Sequence, residues 1–401
     1  MKIAIVTLGC KTNEYESQKI GQELSEKGFD VNFGLVNADL YILNTCSVTH
    51  KADSKSRQLV ARALAKNKDG KVVVCGCGSE HDRSYFEKHE SVIKIFGTKD
   101  KEQIVRCITE IAPPAGLCES GKKSKTRKLI KIGDGCDNFC TYCIVPILRG
   151  RASSRSIDEI VFEIENSKEQ EVVLTAINLN QFEPGLPVLF KHLEGVNKRV
   201  RLGSLEPQMI TKELIEAFKR LKKPCGHFHL SVQSGSTATL KAMNRKYNGE
   251  EVAAAVKLLR ENFEDAYIAC DVIAGFPEES DADFEESLKT LEKCEFSHMH
   301  IFPFSLRKGT AAEKLKPVPQ QKIKERVVRL TEAAKKSEEK FLNSLIGKTG
   351  ELLVEAQKDG FSTGHTENYI KCFLPGNFKS GEIVNVTFRS RKMDGIVVDK
   401  I

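Results

Sequence analysis

Short apolar runs alternate with segments of helical periodicity over the first 111 residues. Three of the runs are typical of strands: Ile3–Leu8, Leu40–Thr45 and Val72–Val74. Two segments that carry apolar residues on one face are typical of helices: Glu14–Lys27 and Asp53–Lys66. Strands and helices in alternation indicate a parallel sheet with right-handed crossovers. We therefore predict an N-terminal α/β domain over residues 1–111, followed by a Pro-, Gly- and Lys-containing linker over residues 112–128.

A longer alternation of the same kind covers residues 129–344. Six apolar runs predict strands: Leu129–Ile132, Val172–Thr175, Val200–Leu202, Phe228–Val232, Ala266–Val272 and His298–Phe302. Amphipathic helices fall between them: Ile157–Asn166, Thr211–Leu221, Gly249–Asn262 and Asp281–Lys293. Six strand–helix units predict an α/β partial barrel of (βα)6 type.

The pattern changes again near the C-terminus. A charged helix is predicted over about Gln320–Asn343, and after residue 345 the chain consists of β-type runs separated by Gly, Asn and Asp. The runs are Gly350–Glu355, Tyr369–Phe373, Ile383–Arg389 and Gly395–Asp399. We predict a small all-β barrel over residues 345–401.

The composition indicates which compartment and which class of protein to expect. Hydrophobic residues make up 40 % of the 401 residues, and no apolar run approaches the roughly 20 residues that a membrane-spanning helix needs. The 62 Lys and Arg residues against 55 Asp and Glu residues give a net charge of +7, which is compatible with a polyanionic partner. Thirteen cysteines without a secretory signal indicate metal-binding or catalytic thiols in a reducing compartment. We expect a soluble, cytoplasmic protein with no membrane partner.

The densest group of cysteines follows the first strand of the predicted barrel. Cys136, Cys140 and Cys143 form a C-x3-C-x2-C run. Three thiolates this close in sequence can bind three corners of a cubic iron–sulfur cluster and leave the fourth iron open to another ligand. The alternative is a structural zinc site, which needs four ligands and more often uses C-x2-C pairs. The spacing therefore predicts a [4Fe-4S] cluster with an open iron.

A second group of cysteines is dispersed in sequence but shares a structural position. Cys10, Cys46 and Cys77 each follow a predicted strand of the N-terminal domain. The carboxyl ends of parallel strands meet at one edge of a sheet, so the three thiols should lie together there. Cys75 competes with Cys77 for the third place, and buried free cysteines at strand ends are the alternative interpretation.

Polar residues follow the strands of the predicted barrel, at the end where such barrels place their chemistry. We expect these side chains to contact a cofactor or the substrate: Thr175, Asn178, Ser204, Glu206, Ser231, Gln233 and Asp271. Arg149 and Arg151 follow the cysteine run on a loop, where they could face a phosphate, a base or solvent. His298 and His300 alternate on one strand without a third metal ligand at suitable spacing, so we expect them to line the core or the barrel mouth.

Eight segments of the sequence together resemble the methylthiotransferase family of radical S-adenosylmethionine (SAM) enzymes. They extend from one end of the chain to the other: TLGCKTNEYES, NTCSVT, the GC of VVVCGC, GCDNFCTYCIVPILRGR, LSVQSGS, LKAMNRKY, DVIAGFPEE and HIFPFSLRKGT. In the family, an N-terminal domain carries a second [4Fe-4S] cluster on three cysteines, a partial barrel binds SAM, and a C-terminal TRAM β-barrel binds RNA. The resemblance selects Cys77 over Cys75, because Gly76 and Cys77 match a Gly-Cys pair of the family pattern.

The resemblance further implies cofactors, partners and site residues. SAM would chelate the open iron of the cluster on Cys136, Cys140 and Cys143 and be cleaved reductively to a 5′-deoxyadenosyl radical, and a second SAM molecule would donate a methyl group. Tyr142 matches an aromatic position near the SAM adenine, and Arg245 matches a position near the SAM carboxylate. The expected cofactors are two [4Fe-4S] clusters and SAM, and the expected partners include an electron donor and a sulfur source, both unidentified.

The substrate follows from the segment GCKTNEYES, which begins at Gly9. It is closest to the branch of the family that methylthiolates carbon 2 of N6-threonylcarbamoyladenosine at position 37 of tRNA, which implies a tRNA anticodon stem-loop as partner. The isopentenyladenosine branch would more typically show GCQMN, and the branch that acts on a ribosomal protein would show GCPKN. A third alternative is a non-catalytic iron–sulfur RNA-binding protein, which would not need the segments QSGS and MNRKY.

Overall fold

The structure is a computed structural model that describes residues 1–111 and 126–401. Most of the predicted linker, residues 112–125, lies outside the described residues, as does Cys118. None of the helices in the described ranges is both long enough and apolar enough to cross a membrane.

The described residues form two compact units. The first unit contains the N-terminal part of the chain and two later segments: Asp134–Ala152 and Ser305–Glu313. The second unit contains the remaining described residues: 126–133, Ser153–Phe304 and Lys314–Ile401. The cysteine run from Cys136 to Cys143 therefore lies in the same compact unit as the N-terminal strands.

A five-stranded parallel sheet flanked by helices forms the centre of the first unit. Its elements are β1 (Lys2–Thr7), α1 (Lys11–Glu26), β2 (Asp30–Phe33), β3 (Leu40–Thr45), α2 (His50–Leu64), β4 (Lys71–Gly76), α3 (Cys77–His81), α4 (Arg83–Glu87), β5 (Val92–Ile95) and α5 (Gln103–Ile111). The strands lie in the order β2-β1-β3-β4-β5. The three central strands and both long helices were predicted. The edge strands β2 and β5 were not, because each has four residues of which only one is buried.

The central strand β3 is buried on both faces of the sheet. Leu40 and Ile42 pack into one apolar core, whereas Tyr41 and Leu43 pack into another on the opposite face. Successive side chains of a strand point to opposite faces, so a strand covered by helices on both sides is a continuous apolar run. This packing fixes the position of Cys46, which directly follows β3.

From Arg127 to Ser344 the chain alternates strands and helices. The elements are β6 (Arg127–Lys131), β7 (Gly133–Asp134), α6 (Val145–Arg149), β8 (Ser153–Ser154), α7 (Ile157–Glu165), β9 (Glu171–Thr175), α8 (Leu186–Leu193), β10 (Arg199–Leu202), β11 (Ser204–Leu205), α9 (Lys212–Lys219), β12 (His227–Gln233), α10 (Thr237–Ala242), α11 (Gly249–Asn262), β13 (Tyr267–Ala274), α12 (Asp281–Cys294), β14 (His298–Pro303) and α13 (Gln320–Ser344).

The long strands of this region are parallel and neighbour one another in chain order. One sheet has the order β10-β9-β6, and another has the order β11-β12-β13-β14. β10 and β11 are separated only by Gly203, whose backbone N–H donates to the carbonyl of Leu174 at 2.8 Å. All six predicted strands are present, and the predicted α/β fold class is confirmed.

A closed five-stranded β-barrel follows α13, so the prediction of a β-rich C-terminal region is also confirmed. Its strands are β15 (Thr349–Lys358), β16 (Phe361–Thr366), β17 (Lys371–Pro375), β18 (Ile383–Lys392) and β19 (Gly395–Lys400), in the order β15-β16-β17-β19-β18. β16 was not predicted because its inward positions are the small or polar residues Ser362, Gly364 and Thr366. A Cβ at Gly364 would lie 1.9 Å from the carbonyl of Leu353, so only glycine fits there.

Buried charges join this β-barrel to the central strands within the second unit. Glu171, at the start of β9, is fully buried and accepts hydrogen bonds from Arg201 Nε and Arg127 Nε, both at 2.7 Å. Arg201 Nη2 also donates to the carbonyl of Thr366 at 3.3 Å, and Arg127 pairs with Glu355 of β15. The β-barrel is therefore attached at the amino ends of the central strands, away from their carboxyl ends.

Candidate active site

The three dispersed cysteines occupy the carboxyl edge of the N-terminal sheet. Cys10 directly precedes α1, Cys46 directly follows β3, and Cys77 begins α3 directly after β4. Gly9 and Gly76 precede the first and third of them with φ angles of +105° and +96°, which glycine adopts without strain. A Cβ at Gly9 would lie 3.1 Å from Cys46 Sγ, so the loop that carries Cys10 passes directly against Cys46.

The thiols at this edge influence one another. Burial raises the pKa of Cys46 to about 11, and the neighbouring Cys77 and Cys10 thiols also raise it. Burial raises the pKa of Cys77 as well, against the opposite effect of Arg149. Because these thiols are protonated at neutral pH, a metal or cluster must displace their protons on binding. Cys10 is exposed, which leaves the edge accessible.

Cys75 lies apart from this group. It is inside β4, is completely buried, and packs in the sheet core with Ile3 and Leu24. Cys77 instead packs beside Ile144 and Leu148, which follow the cysteine run that ends at Cys143. The structure favours Cys77 over Cys75 on this ground, and the ligand set itself stays a prediction.

The cysteine run occupies a loop held at both ends by backbone hydrogen bonds. Cys136 N–H donates to the carbonyl of Gly150 at 3.1 Å, and Cys143 N–H donates to that of Cys140 at 2.9 Å. A Cβ at Gly135 would lie 1.9 Å from a backbone oxygen, so glycine is required immediately before the run. Cys140 is buried, whereas Cys136 and Cys143 are partly exposed, as is Tyr142 between them.

The structure separates the two arginines that follow the cysteine run, because Arg149 is the last residue of α6 whereas Arg151 lies beyond it. Arg151 is exposed, and its Nη1 donates to Asp137 at 2.9 Å. The Arg149 side chain is only 1 % exposed and pairs with Glu16 at 3.1 Å and with Asp134 at 2.9 Å. The expectation that Arg149 faces solvent or a phosphate is wrong, because the carboxylates of the buried Glu16 and the partly buried Asp134 compensate its charge.

At the mouth of the central strands, two predicted site residues bind each other. Arg245 Nη2 lies 3.2 Å from Glu206 Oε1, and both side chains are more than nine-tenths buried. Arg245 also donates to Tyr247 Oη and to the carbonyl of Ser231, and Asn180 Nδ2 donates to Glu206 at 2.8 Å. The arginine is therefore held in one orientation at the mouth and is not a surface cation.

Two other predicted site residues meet through a histidine that the sequence did not single out. Ser204 Oγ lies 2.8 Å from His229 Nδ1, and Asp271 Oδ1 lies 3.2 Å from His229 Nε2. His300 joins them, and ligand atoms of His229, Asp271 and His300 lie within 4.8 Å of one another. Side chains alternate between the two faces of a strand, so His229 lies on the same face of β12 as Ser231. This pattern was the signal from which the sequence could have identified His229.

The remaining predicted contacts have local roles in the described fold. Asn178 accepts from Asn180 N–H at 3.0 Å and caps a short 3₁₀ turn. Thr175 ends β9 and is buried, and Gln233 ends β12 with a φ angle of +67°. Their participation in cofactor binding stays a prediction.

The donor chemistry of both cysteine groups fits iron–sulfur clusters. Each group offers three sulfur donors, which is the donor type that such clusters require, and leaves one iron for another ligand. Partial exposure of Cys10, Cys136 and Cys143 gives each group access from solvent.

Two family models match the parts of the chain that carry these groups. A family described as uncharacterised protein family UPF0004 matches residues 2–97, and the radical SAM superfamily matches residues 130–291.

Curated relatives match the chain almost from end to end. The threonylcarbamoyladenosine tRNA methylthiotransferase MtaB of Thermotoga maritima is 36 % identical over 98 % of this chain and 96 % of its own length. The Bacillus subtilis protein of the same name is 33 % identical over 96 % and 93 %. The tRNA-2-methylthio-N(6)-dimethylallyladenosine synthase of Thermodesulfovibrio yellowstonii is 35 % identical over 96 % and 95 %. The chain belongs to the methylthiotransferase family of radical SAM enzymes. This methylthiotransferase therefore uses SAM and a [4Fe-4S] cluster.

Solved structures extend the likeness to the fold. The radical SAM methyltransferase TsrM of Kitasatospora setae superposes with a TM-score of 0.57 over 78 % of this chain and 76 % of that protein, at 12 % identity. At this identity the likeness establishes the radical SAM fold of the methylthiotransferase and nothing about its substrate.

Proposed function

We propose that this enzyme methylthiolates carbon 2 of N6-threonylcarbamoyladenosine at position 37 of tRNA. The observation that carries the proposal is the near-complete coverage of relatives that bear this activity in their names, at 36 %, 35 % and 33 % identity. Its partner would be a tRNA anticodon stem-loop, in the cytoplasm, with an electron donor and a sulfur source of unknown identity.

The two cysteine groups would divide the work. Cys136, Cys140 and Cys143 hold the cluster that binds SAM, and the group at the N-terminal sheet edge, Cys10, Cys46 and Cys77, holds a second [4Fe-4S] cluster. When bound, these groups and SAM supply a radical for a C–H bond of no useful acidity, together with the sulfur and the methyl group. Each cysteine group has at least one member that is exposed or partly exposed, so SAM and the substrate can reach both groups.

The residues at the strand mouth would bind and orient SAM and the base. Arg245 presents a fixed guanidinium suited to the SAM carboxylate, because Glu206 and Tyr247 hold it in place. Ser204 and Asp271 fix the His229 ring from both sides, so its edge is available only in one orientation. We also propose that Tyr142 packs beside the adenine of SAM. Thr175, Asn178 and Gln233 are proposed as further contacts of SAM.

Three functional regions are proposed along the chain. Residues 1–111 carry the second cluster, 129–344 form the radical SAM domain, and 345–401 form a TRAM domain that binds RNA. Support for the last comes from the closed barrel and from basic residues on β18, which include Arg389, Arg391 and Lys392.

Mass spectrometry of nucleosides from tRNA tests the substrate. Cells that lack the chain should lose 2-methylthio-N6-threonylcarbamoyladenosine and accumulate its unmodified precursor, and re-expression should restore the product. The specific rival is the dimethylallyladenosine reaction, because a relative named for it is 35 % identical over 96 % of the chain. If cells that lack the chain instead lose the methylthio-dimethylallyl nucleoside, or a methylthio group on a ribosomal protein, the proposed substrate is wrong and that molecule is the substrate.

A further inference from the structure

Arg149 is the most heavily bonded buried cation of the first unit. Its Nη1 lies 2.9 Å from both carboxylate oxygens of Asp134 and 3.1 Å from Glu16 Oε1. Its Nη2 donates to Asn13 Oδ1 at 2.5 Å. Leu148, its neighbour in the chain, packs against Cys77, and the guanidinium charge lowers the pKa of the Cys77 thiol against the larger effect of burial.

These partners lie next to candidate ligands of both clusters. Asn13 and Glu16 belong to α1, three and six residues after Cys10, and Asp134 is two residues before Cys136. One planar fork can bind several acceptors at once in a fixed geometry, which a flexible lysine cannot do. Arg149 therefore fixes the cysteine loop against the edge of the N-terminal sheet.

The local charges are closely balanced. Lys101 is buried and also pairs with Glu16, and its Nζ lies 3.1 Å from Asn44 Oδ1. Arg149 and Lys101 both act on Cys77 as cations. Both cations thus pair with Glu16, and Arg149 alone of the two pairs also with Asp134 and directly follows Leu148, which packs against Cys77.

We propose that Arg149 is a positioning residue that holds its positive charge beside the Cys77 sulfur, raises the reduction potential of the second cluster, and fixes the cysteine loop against it. The role rests on the proposed ligand set of Cys10, Cys46 and Cys77. A positive charge near a ligating sulfur stabilises the added electron of a reduced cluster. Neutralising Glu16 should have the opposite effect, because it removes a negative charge that offsets Arg149.

A redox titration isolates this effect. Replacing Cys136, Cys140 and Cys143 with Ala leaves only the second cluster, whose reduction is followed by electron paramagnetic resonance after anaerobic reconstitution. In that background, Arg149→Gln should lower the reduced-to-oxidised ratio at fixed potential about tenfold, a shift of about 59 mV to more negative potential for one electron. Arg149→Lys should shift less. Glu16→Gln should shift the midpoint to more positive potential.

A matched control is Arg106→Gln, an exposed arginine of the same unit that pairs with Glu110, and its midpoint should not change. Shifts in the same direction for Arg149→Gln and Glu16→Gln, or an unchanged midpoint at full iron content, overturn the proposal. If Arg149→Gln loads no iron, the double variant Arg149→Gln/Glu16→Gln restores the local charge balance and is loaded in the same way. If the double variant also loads no iron, Arg149 has a folding role only and the proposal is overturned.

The same preparation separates this proposal from the proposed function. If Cys77→Ala keeps the second cluster when Cys136, Cys140 and Cys143 are also replaced with Ala, the proposed ligand set is wrong. A cluster that depends on Cys77 but keeps its midpoint in Arg149→Gln shows that the ligand set is right and the role of Arg149 is wrong. With all cysteines present, the Arg149→Gln enzyme should form at least tenfold less methylthio product per SAM cleaved. The reason is that the loop carrying Cys136, Cys140 and Cys143 is no longer fixed.

Discussion

Individual cysteines differ in environment even where they are two positions apart. Cys75 points into the apolar core of the N-terminal sheet, whereas Cys77 begins a helix at the open edge. Strand alternation alone could not choose between them, because β4 ends at Gly76, where the backbone leaves the strand geometry.

Iron content checks this difference. Cys77→Ala should lower the iron content of the reconstituted enzyme from roughly eight to roughly four per chain, since one of two four-iron clusters loses a ligand. SAM cleavage should persist, because Cys136, Cys140 and Cys143 are unchanged, and methylthio product should be lost. Cys75→Ala, the matched control, should keep both clusters at a cost of about 1 kcal/mol of stability for a small cavity. If Cys77→Ala keeps the full iron content and Cys75→Ala keeps only half, Cys75 is the ligand and Cys77 is not.

The residues that the sequence did not predict are those whose partners are distant in the chain. His229 depends on Ser204 and Asp271, and Arg149 depends on Glu16, which is 133 positions away. The cysteines were predictable because their signal is local, either as spacing within one loop or as a position after a strand. No local pattern distinguishes the buried Arg149 from the exposed Arg151, although they are only two positions apart.

At the scale of elements, strands with large apolar side chains were predictable and strands without them were not. The central strand β3 begins with four large apolar or aromatic residues, whereas β16 has one, Phe361, followed only by Ser, Thr, Gly and His. β16 forms because its neighbours in the barrel supply hydrogen bonds on both sides, and Gly364 allows the close approach of β15. Such a strand is determined by tertiary contacts and not by its own composition.

The junction between the β-barrel and the central strands depends on one buried carboxylate. Burial raises the pKa of Glu171, but Arg201, Arg127 and Arg199 lower it more, and the net pKa is below its ordinary value. Glu171→Gln should therefore destabilise the enzyme by about 3–5 kcal/mol, because three arginines lose their carboxylate. Glu194→Gln, which breaks only an exposed pair with Arg220, should change stability by less than about 1 kcal/mol.

The ionisation of Glu171 also makes the stability of the enzyme depend on pH, with a defined sign. Because folding lowers the pKa of Glu171, its contribution is fully present above the ordinary glutamate value of 4.5 and is lost as pH falls through the lower folded value. Urea midpoints followed by circular dichroism, measured from pH 7 downwards, should therefore converge for the original enzyme and Glu171→Gln at acidic pH. A difference that stays constant with pH would show that the carboxylate charge is not what stabilises the junction.

At the scale of the whole molecule, the second unit carries its proposed RNA-binding barrel at the amino ends of the central strands, away from the buried Arg245–Glu206 pair. Arg127 and Arg201 attach the β-barrel at the amino ends, and Glu206 directly follows the carboxyl end of β11. Removing the barrel would leave buried arginines without partners, so truncation is a poor test of its role. Surface substitutions in the full chain are the better test.

The basic face of β18 provides such substitutions. Arg391 is exposed, and Lys392 Nζ lies 3.6 Å from the centre of the Phe361 ring, so both can reach a nucleic acid without a change in the core. Arg391→Glu/Lys392→Glu should weaken tRNA binding and flatten its dependence on salt, because fewer phosphate counterions are released. SAM cleavage without tRNA and iron content should not change.

The control for this experiment is Lys257→Glu, an exposed residue of α11 in the same unit, which should leave both the affinity and the salt slope as they are. Filter binding or fluorescence anisotropy at several salt concentrations measures both quantities at once. An unchanged slope in Arg391→Glu/Lys392→Glu would mean that these two cations release no counterions. The anchor for tRNA would then have to be sought elsewhere on the enzyme, because a barrel that binds the phosphate backbone through this face cannot lose two positive charges and keep its salt dependence.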